Sequence, residues 1–95
     1  SIDLLLAKYS FRLVNNSGWT LYDPADTPFR LQDGHNMVGR GPGNDISLAS
    51  EFGNISRKHV IFEPLDDHAV LIVDLSSHGT FVPPRQVELD SYRRG

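Results

Sequence analysis

Three short segments hold the side chains able to grip an anion. The first is Val38-Gly39-Arg40-Gly41-Pro42-Gly43-Asn44-Asp45-Ile46, where an arginine opens a glycine-rich loop. A guanidinium presents a planar fork of donors that matches phosphate or carboxylate oxygens bidentately. The loop lacks the Lys-Ser/Thr ending of a nucleotide P-loop, so that chemistry is not supported. The second is Asn54-Ile55-Ser56-Arg57-Lys58-His59, with a hydroxyl, a guanidinium and an ammonium on consecutive residues. Such a loop offers one anion a side-chain hydroxyl, backbone N–H groups and a cation. The third is Asp74-Leu75-Ser76-Ser77-His78-Gly79-Thr80-Phe81, in which two hydroxyls and an imidazole precede a glycine. Each has a plain alternative: a surface arginine beside a turn, a serine that caps a turn, a polar hairpin tip. For His59, at the head of an apolar run, the favoured reading is a buried histidine whose ring nitrogens are satisfied by backbone.

The elements that must position these loops are short and apolar with a period near two. Leu4–Leu6, Phe11–Val14, Trp19–Tyr22, Phe29–Leu31 and Met37–Val38 read as strands. So do His59–Glu63 and Ala69–Leu75, rich in Val, Ile and Phe, and then Thr80–Val82 and Gln86–Leu89. Turn signals separate them: Asn16-Ser17-Gly18, Asp33-Gly34, the 41–45 loop, Pro64 to Asp67 and Pro83-Pro84. No stretch carries a helical stripe, so the pattern predicts a β-sandwich or barrel, whose loops at one end are free to carry function.

Ninety-five residues make a single domain, here at 39% hydrophobic and 22% charged. Cysteine is absent, which excludes a disulfide scaffold and any thiolate metal site, and accords with a cytoplasmic, intracellular setting. No apolar run approaches the roughly 20 residues that span a bilayer, so no membrane partner is expected. A formal charge of −3 argues against a nucleic-acid binder. The histidines His35, His59, His68 and His78 lack metal-ligand spacing, and no cofactor is implied. Ser56 and His59 stand close in sequence but without the glycine elbow of a serine nucleophile, so no enzyme activity is expected.

In order and spacing, Gly39-Arg40, Ser56-Arg57-Lys58-His59 and His78-Gly79-Thr80 together resemble the signature of the forkhead-associated (FHA) family, over about residues 19–90. Asn44-Asp45-Ile46 and Asp74-Leu75 agree as flanks. The resemblance implies an all-β sandwich of about 10–11 short strands with its functional loops at one end. It also implies an interaction module that binds phosphothreonine on a partner protein. Arg40 and Ser56 would then hold the phosphate, with Arg57 and Ser77 as further donors and Asn54 near the peptide side chain three places after the phosphothreonine. Gly39, His59, Gly79 and Thr80 would support the site. The departure is His78, where the family usually places asparagine. An imidazole cannot copy an amide's simultaneous donor and acceptor. Phosphate capture should therefore survive better than control of peptide register, and if His78 touches the phosphopeptide its protonation toward acid pH should strengthen binding. The rival within the same fold is a scaffold that binds its partner without phosphate.

FHA domains usually finish with two more strands after the region corresponding to Gln86–Leu89. Here residues 1–14 look like those strands, and Arg94-Gly95 followed by Ser1-Ile2-Asp3 would read as an ordinary family ending. The expectation is a permuted order, in which the N-terminal hairpin completes the sandwich of its own chain or, by exchange, of a second copy in a homodimer.

Overall fold

The computed structural model describes residues 1–87. Among them lie nine strands: β1 (Ile2–Leu6), β2 (Tyr9–Asn15), β3 (Trp19–Tyr22), β4 (Pro28–Arg30), β5 (Asn36–Arg40), β6 (Ile46–Leu48), β7 (Val60–Pro64), β8 (Val70–Asp74) and β9 (Thr80–Phe81). They form two sheets, of order β4-β3-β2-β1-β9 and β6-β5-β7-β8, packed as an all-β sandwich. Pro84–Gln86 forms a short 3-10 turn. The strand expected over Gln86–Leu89 therefore does not begin at Gln86, and positions 88 and 89 lie outside the described residues. One strand escaped the sequence reading: Ile46–Leu48, which pairs in parallel with β5 through Val38↔Ile46 and Arg40↔Leu48.

Alternation of side chains across each strand builds the core. Leu4, Leu6, Phe11, Leu13, Trp19, Leu21 and Leu31 face inward from one side of the sandwich. Val38, Ile46, Leu48, Phe52, Ile55, Val60 and Phe62 meet them from the other. Phe52 seats edge-on against Tyr9 and Phe11, at 5.0 and 6.2 Å between ring centroids. The Trp19 indole N–H donates to the Asp66 carbonyl at 2.8 Å and ties the first sheet to the β7–β8 turn.

The N-terminal hairpin is central to this arrangement. Within the chain it lies between β3 and β9, pairing Leu13 with Leu21 on one side and Leu6 with Thr80 on the other. Leu6 and Leu13 are wholly buried, and Leu4 and Phe11 nearly so. The hairpin turn also reaches the third loop, because the Ala7 N–H donates to the Gly79 carbonyl at 2.8 Å.

Candidate functional site

Arg40 is the last residue of β5, and two bonds fix it against the 54–59 loop. Its backbone N–H donates to the Ser56 carbonyl at 3.0 Å, and its Nε donates to the Ile55 carbonyl at 2.9 Å. The guanidinium is thus oriented by its own Nε, while its terminal nitrogens have no acceptor among the described residues. Gly39 makes this approach feasible: a Cβ there would overlap the Arg57 carbonyl oxygen. Asn44 binds the two loops together from the other side, its amide donating to the Gly41 carbonyl at 3.0 Å and the Arg57 carbonyl at 2.8 Å. Lys58 adds a third tie through its ammonium, 3.0 Å from the Gly43 carbonyl.

Ser56 stands at the junction of all three loops. Its backbone N–H donates to His59 Nδ1 at 3.0 Å, and its hydroxyl oxygen accepts the Ser77 N–H at 3.1 Å. With the oxygen engaged as acceptor, the hydroxyl proton is left to donate outward. His59 is fully buried and serves as the strut behind Ser56. Because Nδ1 accepts, Nε2 carries the proton and donates to the Gly79 carbonyl at 2.9 Å. One neutral ring therefore spans the second and third loops, and the carbonyl it meets is the one that also takes Ala7.

The third loop closes on itself through Asp74. One carboxylate oxygen accepts from the Ser76 hydroxyl at 2.6 Å, the Ser76 N–H at 3.1 Å and the Thr80 hydroxyl at 2.9 Å. The Ser76 oxygen in turn accepts the Gly79 N–H at 2.7 Å. Gly79 has φ of 93°, a left-handed conformation that disfavours any side chain. Burial raises the Asp74 pKa, but the hydrogen bonds from Ser76 and Thr80 outweigh it. The carboxyl is left below its ordinary value of 3.8.

Hydrogen bonds therefore bring together Arg40, Ser56, the backbone of Arg57 and Ser77, with Gly39, His59, Gly79 and Thr80 beneath them. Ser77 enters through its N–H. Asn54 is half-buried, while Arg57 and His78 are exposed, and none of these three side chains bonds to another site residue. Sequence reasoning passed over Asn44 as a brace, Ser76 as the closure of the third loop, and Ala7. An Asp-x-Ser turn signal marked Ser76; nothing local marked Ala7, whose role depends on sheet order. Among the described residues no cluster of His, Asp or Glu could hold a metal ion.

A rigid sandwich that presents an anchored guanidinium, a donating hydroxyl and two more cations, Arg57 and Lys58, on loops at one end defines a loop-borne binding module. The model of the FHA domain matches residues 36–94, more than half of the chain, and the chain belongs to that family. FHA domains are phosphothreonine-binding protein-interaction modules and not enzymes. The match takes in all three loops and leaves β1–β4 outside it. No curated protein and no solved structure matches the chain.

Proposed function

We propose that this domain captures a phosphothreonine peptide with Arg40 and Ser56, recruiting its phosphorylated partner in signalling or regulated assembly inside the cell. The observation that carries the reading is the pinning of Arg40 to the Ile55 and Ser56 carbonyls, which anchors the guanidinium to the loop that carries the Ser56 hydroxyl. A phosphothreonine carries about −1.5 to −2 charges and three strong acceptor oxygens. The guanidinium fork and the hydroxyl meet it with charge-assisted bonds, and both are already ordered, so little conformational entropy is lost on binding. Arg57 and Lys58 add long-range attraction, and Ser77 and His78 rim the peptide. Asn54, a neutral amide, reads a peptide position distant from the phosphate without a strong charge preference.

The test is a titration with a degenerate phosphothreonine library, its unphosphorylated twin and its phosphoserine twin, on the wild type and Arg40→Ala. Binding confined to phosphothreonine and lost in the variant supports the reading. Equal binding to the unphosphorylated twin refutes it and leaves a phosphate-independent scaffold.

A further inference from the structure

The β1–β2 turn, Ala7-Lys8, lies outside the stretch matched by the family model, yet the fold carries it to the end of the sandwich that holds the three loops. Strand β1 pairs with β9 through Leu6↔Thr80, and one step further the Ala7 N–H donates to the Gly79 carbonyl at 2.8 Å. Continued by one more residue, that register carries Lys8 toward His78. On the other flank of the turn, Tyr9 stands edge-on to Phe52. The Phe52 carbonyl accepts the Ile55 N–H at 2.9 Å, and the Ile55 carbonyl is the one that holds the Arg40 Nε. The turn is thus tied to the second loop as well as to the third.

Its backbone is held in an uncommon state. Ala7 has φ of 55°, in the left-handed region, at the first place of a two-residue hairpin turn where glycine, asparagine or aspartate is usual. Such conformations persist where the surroundings over-determine them, and they cluster at ligand-contacting segments. Here the surroundings are the Gly79 bond and the burial of Ala7. Lys8 by contrast is exposed, with its ammonium 5.5 Å from the Tyr9 ring centroid, a cation–π distance that restrains it beside the loops. Among the described residues it forms no ion pair. The carboxylate side chains beyond them, Glu88 and Asp90, are out of its reach. Gln86 Nε2 donates to the Ser1 carbonyl at 2.9 Å, at the far end of β1 and about 20 Å from Lys8, and four residues extend at most about 14 Å.

We infer that Ala7-Lys8 is a fourth loop of the binding face, and that Lys8 selects partners with an aspartate or glutamate within about five residues of the phosphothreonine. The span follows from the contacts. Ser77, whose N–H bonds to the Ser56 hydroxyl oxygen, is two residues from Gly79, and one strand-pair step and one residue more reach Lys8, about 16 Å in all. An extended peptide covers that distance in about five residues. Arg40, Arg57 and Lys58 already answer the phosphate, so a cation one loop away recruits a second, separate negative charge. The inference rests on phosphate capture by Arg40 and Ser56 and adds a second feature to the partner.

The experiment is a fluorescence-anisotropy titration of the full chain, as wild type, Lys8→Gln and Lys8→Glu. The phosphothreonine peptides carry Asp, Ala or Lys in turn at each of the five positions on either side. At one or two positions the wild type binds the Asp peptide about two- to fivefold more tightly than the Ala peptide, the range of an exposed charge pair, and the advantage shrinks at high salt. Lys8→Gln removes that ratio. Lys8→Glu transfers the preference to the Lys peptide at the same position, which a merely structural role would not produce. With phosphothreonine binding intact, a wild type that prefers Asp nowhere overturns this inference alone, and so does a preference that Lys8→Glu leaves in place. Equal binding of phosphorylated and unphosphorylated peptides overturns the phosphate reading and this inference with it.

Discussion

Replacing His59 with alanine tests the idea that one buried ring holds two loops in place. The ring is wholly buried and makes two bonds, accepting from the Ser56 N–H and donating to the Gly79 carbonyl. The two lost bonds are not equivalent. The Gly79 carbonyl keeps the Ala7 N–H at 2.8 Å, so its loss is one net hydrogen bond, about 1 kcal/mol. The Ser56 N–H keeps no partner, and an orphaned buried donor costs about 1–3 kcal/mol. The vacated ring volume adds a cavity term of about 1–2 kcal/mol after partial collapse. The total is about 3–6 kcal/mol, a large share of the roughly 5–15 kcal/mol that stabilises a domain. In urea titrations the midpoint should fall in proportion, with the slope unchanged. Phosphopeptide affinity should fall as well, since Ser56 loses its strut. A loss below about 1 kcal/mol would refute the reasoning, because it would mean that the two loops are held by something other than His59.

Further outcomes follow from the same contacts. Gly39→Ala forces a Cβ into the Arg57 carbonyl, so it should destabilise by about 1–3 kcal/mol as an overpacked site and displace the Ser56 loop; thermal unfolding together with peptide titration reads both effects. Asp74 has a folded pKa below its unfolded one, so its stabilisation is present above about pH 3.8 and is lost as pH falls through the lowered folded value. The side chain is exposed, which limits that contribution to under about 1 kcal/mol. Stability curves of the wild type and Asp74→Asn should therefore differ at neutral pH and converge at the acid end. Deleting residues 1–14 removes Leu4, Leu6, Phe11 and Leu13 from the core, at about 1.5–3 kcal/mol each, and should abolish cooperative unfolding by circular dichroism. A remainder that unfolds cooperatively with unchanged stability would contradict the central place given to the hairpin.

Much of the sandwich was legible because its strands alternate cleanly, as in Tyr9–Asn15, where Phe11 and Leu13 face in and Ser10 and Arg12 face out. The candidate site was legible where its residues are chemically distinctive. Arg40, Ser56 and His59 announce themselves by type and spacing, and Gly79 by its place before a strand. Ile46–Leu48 was missed for a physical reason. The connection from β5 is short, and a short connection ordinarily joins antiparallel strands, whereas here the chain doubles back to pair in parallel. The Asn44 bridge and the Asp45 carboxylate, which accepts the Met37 N–H at 2.7 Å, hold that return and replace the long crossover. Ala7 was not legible at all: its bond to Gly79 exists only because β1 lies beside β9, a neighbour far along the chain.

The most direct test of phosphate capture is a set of ¹H–¹⁵N spectra recorded during titration with a phosphothreonine peptide, including the arginine Nε–H signals. The account predicts that the largest shifts fall on the Arg40 Nε–H and on the amides of residues 39–41, 54–58 and 76–79, and that the unphosphorylated peptide leaves them in place. Shifts centred on the outer face of the first sheet, at Leu5, Arg12 and Phe81, with the Arg40 Nε–H unmoved, would contradict it.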